Sequence, residues 1–267
     1  MTSLRTPLEV ALESPWTVLE GVLDGPLHPG GGEATAALLD RAGVTTGTRL
    51  LDVGCGAGDA LVRARERGAV AIGLDRDPGD PARGVRGEMT ALPVRSGSVD
   101  AVLAECVLCL APAVGDALAE ARRVLGDGGR LALSDVVVEG APPDLPGPMA
   151  EALCLTGRPG RAGLVGEIET AGFAVGEVRD HREDLLAMRD DLAGKVDYEG
   201  LLGALGARGE RLLAGIESLE AAVEGGDVGY VSLVATVEGS LRPRGGVPED
   251  RRLGGRATGP HPRSAKE

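Results

Sequence analysis

Apolar positions along this chain fall into two kinds of run, and the two kinds alternate. "TRLLDVG" (48–54) is a continuous apolar run closed by glycine, the pattern of a strand buried on both faces. Similar runs occupy "AVAIGLD" (69–75), "SVDAVLAEC" (98–106) and "RLALSDVVV" (130–138), with a weaker one inside "ARGVRGEMTALP" (82–93). Between them, "EATAALLDRAG" (33–43), "DALVRARERG" (59–68) and "VGDALAEARRVLGDGG" (114–129) space their apolar residues three or four apart and end in glycine, which predicts amphipathic helices. Strand and helix alternating in this way predict βαβ units, hence an α/β fold with a parallel sheet covered on both faces. Past the proline-rich "EGAPPDLPGP" (139–148), the pattern predicts helices at 149–155 and 161–171 and a strand at 173–181. It then predicts helix throughout 183–223 and a last strand at 228–237. Residues 239–267 hold mostly Arg, Gly and Pro, the composition of a disordered tail.

Composition narrows the picture. Of 267 residues 43% are hydrophobic, enough for one core. Only 1% are aromatic, so Leu, Val and Ala must build that core, and neither an aromatic cage nor a base-stacking platform is available. A net charge of −13 has the wrong sign for sequence-independent nucleic-acid binding. No apolar run of 18 residues and no signal-peptide pattern occurs, which predicts a cytoplasmic protein away from membranes. Four cysteines are too few for a disulfide scaffold and are expected as thiols.

"LLDVGCGAGD" (50–59) carries the first chemistry. Gly54, Gly56 and Gly58 lie between a strand and a helix, where glycine allows a sharp turn and close approach of a ligand to the backbone. Asp75 ends the next strand, in position to reach a ribose hydroxyl pair. The alternative is a plain tight turn. The D-V-G-C-G-x-G pattern with Asp52 before the loop resembles motif I of class I S-adenosylmethionine-dependent methyltransferases. "GEMTALPVRSGSVDAV" (87–102) and "RVLGDGGRLALSDV" (123–136) resemble later signatures of the same family. The resemblance covers about residues 33–138 and implies a Rossmann-like, seven-stranded sheet in the order 3-2-1-4-5-7-6 with the last strand antiparallel. It also implies S-adenosylmethionine as cofactor. Asp52 would then help hold the methionine amine, Asp75 the ribose, and Glu88 and Met89 would flank the adenine. Glu105 is a further candidate for the amine end or the pocket wall. Residues 1–32 would cover the cofactor site, 33–238 would form the transferase domain, and the insertion 183–224 would be a lid or a homodimer surface.

"AECVLCL" (104–110) places Cys106 and Cys109 at the end of the fourth strand, where this fold brings the acceptor to the methyl group. The stretch resembles the cysteine-bearing segment of arsenite methyltransferases, and Cys154 in "EALCLTGR" (151–158) resembles a second such site. The resemblance covers Cys106 and Cys154, and Cys109 stands where that family has Asn and adds a third thiol; together the three would hold a trivalent metalloid, because soft thiolates prefer soft acceptors. This chain lacks the family's N-terminal cysteine pair. Other readings stand beside it. The thiols can be simple core packing, a redox pair, or three ligands of a zinc site completed by His181. His181, preceded by Asp180, can instead be a general base for a small organic acceptor. His28 is read either as a cover over the site or as a surface turn, Asp135 as a pocket wall, and Cys55 as structural. A cofactor-binding protein without turnover is the non-enzymatic alternative.

Overall fold

The computed structural model describes residues 25–78, 84–157, 159–195, 197–203 and 206–238. The expected tail and most of the expected N-terminal cover lie outside these residues. Among them, in order, are α1 (Gly31–Arg41), β1 (Arg49–Val53), α2 (Asp59–Glu66), β2 (Val70–Asp75), β3 (Gly84–Arg86) and β4 (Val99–Glu105). A 3-10 turn (Leu108–Leu110), α3 (Val114–Val124), β5 (Leu125–Val138), α4 (Gly147–Ala152) and α5 (Arg161–Thr170) follow. The chain continues through β6 (Phe173–Val175), β7 (Arg179–Asp180), α6 (Arg182–Lys195), α7 (Tyr198–Gly203), α8 (Ala207–Gly225) and β8 (Val228–Val237).

The strands join in the order β3-β2-β1-β4-β5-β8-β6, with β7 also paired to β8. The pairings from β3 to β5 are parallel, and β8 runs antiparallel to β5. This is the expected order, with the expected sixth strand divided in two. The division falls at Gly176, whose N–H bonds the carbonyl of Val234 and whose α-carbon approaches that carbonyl too closely for a side chain. The expected helix at 114–129 also ends early, at Val124. Leu125 pairs with Val99 across a bulge, and the glycines at 126, 128 and 129 favour extension over helix. The insertion after β7 forms three helices rather than one continuous stretch.

Period-two alternation divides the core between the faces of the sheet. Leu51, Val102, Leu131 and Leu133 join α3 and α5 on one face; Leu50, Ala101, Leu103 and Ala132 join α1 and α2 on the other. A third apolar cluster packs Leu153, Leu185, Leu186 and Leu219 around Val136, Val138 and Tyr230, near the carboxyl end of β5. The insertion helices α6 and α8 therefore pack beside the end of the sheet where sites of such folds form. No helix among the described residues is long and apolar enough to cross a membrane.

Candidate active site

The turn after β1 passes through Gly54, Gly56 and Gly58, all left-handed with φ of 79°, 46° and 88°. A β-carbon at Gly54 would overlap Val107, whereas one at Gly56 would meet open space. The loop therefore packs tightly on one side and leaves its backbone open on the other. Gly54 and Cys55 donate their N–H groups to Leu74, tying the loop to β2, and Gly58 caps α2. Asp75 accepts the N–H of Gly56 at 3.0 Å and that of Asp77 at 2.9 Å. Cys55 fills the space left by Gly73 and Gly84. Burial, then Asp52 and Asp75, push its thiol up to about 12, so it stays protonated and structural, as expected.

Beneath the loop lies a buried acidic group. Asp52 is buried on β1, and its Oδ2 has no hydrogen-bond partner among the described residues. Burial, then Glu105 and Asp75, raise its carboxyl well above the usual range. Glu105 ends β4 and accepts the Thr35 hydroxyl at 3.0 Å, with His28 Nε2 3.8 Å away. Burial raises its carboxyl, opposed by His28, Thr35 and Arg63. His28 itself is buried, 3.2 Å from Thr35 Oγ1, so the surface-turn reading does not hold. Converging carboxylates with one orphaned oxygen suit a cationic ligand, because an ammonium supplies both the missing donor and the opposing charge. S-adenosylmethionine, with its ammonium and sulfonium, fits that donor set. Glu88 is exposed, with its backbone bridged to Ala91, while Met89 is partly buried against the core. Thr35 is the site residue that sequence reasoning missed; it sits one turn into α1 with no motif to mark it.

The cysteines meet at the ends of β4 and β5. The Cys106 N–H donates to the Ser134 carbonyl, and the Cys109 N–H donates to Asp135 Oδ2 at 3.0 Å. Cys154 follows α4. The sulfurs of Cys106, Cys109 and Cys154 and a carboxylate oxygen of Asp135 all lie within 4.8 Å of one another. Cys109 and Cys154 are joined as a disulfide across 45 residues, which corrects the expectation of thiols throughout. The proximity that makes them joint ligands also makes them oxidisable to each other. Cys106 and Cys154 are the two described non-glycine residues with left-handed backbone, φ 52° and 59°. A β-carbon in that region costs about 1–2 kcal/mol. The third apolar cluster surrounds these sulfurs, so they also pack.

His181 stands elsewhere. Its Nδ1 lies 2.8 Å from Asp184 Oδ2 and its Nε2 2.7 Å from Ser232 Oγ, which also accepts Arg41 at 2.7 Å. Two expectations are corrected. Asp184 rather than Asp180 holds the ring; Asp180 is paired with Arg161 and accepts the N–H of Arg182. Asp135 rather than His181 takes the fourth place beside the three sulfurs. Both ring nitrogens of His181 are engaged in joining the start of α6 to β8.

Comparison with known proteins agrees with this geometry. A family profile described as a methyltransferase domain matches residues 51–133. Methyltransferase GfsG of Streptomyces halstedii is 34% identical over 48% of this chain and 52% of its own. An arsenite methyltransferase of Halobacterium salinarum is 33% identical over 51% of this chain and 40% of its own. The chain thus spans about half or less of these relatives. Among solved structures, the [4+2]-cyclase SpnF aligns with a TM-score of 0.66 at 22% identity, covering 87% of this chain and 95% of that one. Phosphoethanolamine N-methyltransferase 2 of Haemonchus contortus, solved with S-adenosyl-L-methionine, aligns at 0.62 and 19% identity, covering 88% and 58%. Residues 51–133 are therefore similar to a methyltransferase domain, and the sheet they help build has the fold of the solved methyltransferases.

Proposed function

We propose that this chain transfers the methyl group of S-adenosylmethionine to a small acceptor, and that the acceptor is a thiolate-bound trivalent metalloid such as arsenite. The convergence of three cysteine sulfurs at the carboxyl ends of β4 and β5 carries the reading. The likeness to the Halobacterium salinarum arsenite methyltransferase supports it. In the proposed assignment Asp52 and Glu105 hold the ammonium end of the cofactor, the backbone of Gly54, Gly56 and Gly58 lines its path, and Asp75 serves the ribose. Glu88 and Met89 flank the adenine. When bound, the cofactor supplies an electrophilic methyl group on a sulfonium. The insertion helices α6 and α8 serve as a lid that keeps water from the acceptor.

The thiol site must first be reduced. An external dithiol delivers two electrons and two protons to the Cys109–Cys154 bond and becomes a disulfide itself. Three thiols then displace three hydroxyls of arsenous acid as water, forming three sulfur–arsenic bonds. Arsenic keeps its lone pair as the nucleophile, so the acceptor needs no strong general base. A second reading, methyl transfer to a small organic metabolite, draws on the carboxylate-held His181.

Paired variants separate the readings. In the metalloid reading, Cys106→Ser and Cys154→Ser abolish methyl transfer while calorimetric cofactor affinity stays within about twofold, and His181→Ala keeps activity. The reverse, with serine variants active and His181→Ala inactive, selects the organic acceptor.

A further inference from the structure

Asp135 goes unused in the proposed transfer, yet it is buried among the three sulfurs. We propose that the reduced cluster is also a four-donor site for a soft divalent cation such as zinc or cadmium, bound by the sulfurs of Cys106, Cys109 and Cys154 and a carboxylate oxygen of Asp135. This stands whether or not a metalloid is the acceptor.

The spacing is close to what such a site needs. Zinc–sulfur bonds of about 2.3 Å in a tetrahedron set ligand–ligand distances of roughly 3.8 Å. The four donor atoms are already within 4.8 Å, so the longest separations need shrink by only about 1 Å, while the bonded sulfurs of Cys109 and Cys154 move apart once reduced. Asp135 is held in place by two backbone donors, Cys109 N–H on one oxygen and Val136 N–H on the other. Each carboxylate oxygen accepts more than one partner, so these bonds leave room for a cation. The left-handed backbone at Cys106 and Cys154 is a further sign of a constrained site. Charge gives the same preference. Three thiolates and a carboxylate are unfavourable when buried together, and a dication offsets part of that charge. A pyramidal trivalent metalloid uses three sulfurs and leaves the carboxylate idle; a four-coordinate cation uses all four groups.

Loading requires reduction. A water-soluble phosphine reduces the Cys109–Cys154 bond, giving two thiols and the phosphine oxide, whose oxygen comes from water. Cation binding then displaces up to three thiol protons to the buffer.

The test is a cadmium titration of the full chain after phosphine reduction and removal of bound metal, read by thiolate-to-cadmium ultraviolet absorption and by proton release. One cadmium per chain is expected. Asp135→Asn keeps an oxygen for the Cys109 N–H but loses the anionic ligand. It is expected to weaken cadmium binding at least about tenfold more than it weakens arsenite binding. Cadmium-113 resonance of the parent chain reads the donor set without a variant, and three sulfurs plus oxygen are expected. No saturable binding, an all-sulfur donor set, or equal losses for cadmium and arsenite in Asp135→Asn each overturn the proposal. The last result would make Asp135 only a support for Cys109. Arsenite methylation is scored separately, so cadmium binding without methylation refutes the metalloid reading alone.

Discussion

Replacing Asp52 with asparagine separates what the buried carboxylate costs the fold from what it does for the cofactor. Asp52 is buried, its Oδ2 is unpartnered among the described residues, and Glu105 and Asp75 act on it unfavourably. An unsatisfied buried polar atom costs about 1–3 kcal/mol. The sign with pH follows from linkage. A carboxyl whose pKa is raised on folding contributes stability that is fully present below its unfolded value, near 4, and is lost as pH rises through the folded value. Asp52 and Glu105 are both raised, so the cofactor-free chain loses stability as pH climbs from about 4. At pH 8, Asp52→Asn removes the buried charge though not the orphaned polar atom, and is expected to stabilise the cofactor-free protein by about 1 kcal/mol or more, since each unit of raised pKa is worth about 1.4 kcal/mol; that is roughly 2–4 °C in Tm per kcal/mol. The gain shrinks toward pH 4. Cofactor affinity moves the other way. A charge-assisted hydrogen bond is worth about 1.5–3 kcal/mol, so its loss weakens binding roughly 10- to 150-fold. Urea unfolding at pH 5 and pH 8, with calorimetric titration of S-adenosylmethionine, reads both effects. A variant destabilised at both pH values, or one binding cofactor as tightly as the parent, refutes the reasoning.

Other outcomes follow from the same geometry. Gly54→Ala places a β-carbon at φ 79° against Val107; together the strain and overpacking should cost about 2–4 kcal/mol in urea unfolding, and an unchanged midpoint would contradict the loop packing. Alkylation of the reduced native chain at pH 8, mapped by peptide mass spectrometry, should modify the half-buried Cys106 and Cys109 and spare the buried Cys154 and Cys55 until urea is added, Cys55 also because its thiol sits at about 12. Equal labelling of Cys55 in the native state would show that it is not held as described. His181→Ala removes the link between Asp184 of α6 and Ser232 of β8, so hydrogen exchange across α6 should quicken while β1 is unaffected. Tyr230→Phe deletes a buried hydroxyl that donates to Ser134, for an expected loss of about 0.5–1.5 kcal/mol by chemical denaturation.

The most legible parts of the fold were those written in local pattern. Val228–Val237 matches the expected last strand to the residue, and β1, β2 and β4 each fall within one residue of their apolar runs. Turns and non-local pairing were less legible. "LGDGG" after α3 continued the helical spacing, and only pairing with β4 draws Leu125 into β5. Gly176 divides a run that looked continuous. The glycine turn after β1 was readable because glycines between a strand and a helix are a local arrangement. Cysteine convergence was expected only through the resemblance and not from local pattern, because Cys154 returns to Cys109 across 45 residues and a proline-rich connection. His181 was identified, but adjacency chose Asp180 as its partner. The helix beginning at Arg182 brings Asp184, three positions on, to the ring instead.

The most direct measurement is single-turnover transfer from methyl-labelled S-adenosylmethionine to arsenite, using phosphine-reduced protein and separating the products by charge and mass. The account expects labelled methylarsenic in amounts matching the S-adenosylhomocysteine formed, and none when Cys106 is serine. Tight cofactor binding with no label on arsenic would contradict it and leave an organic acceptor to be found.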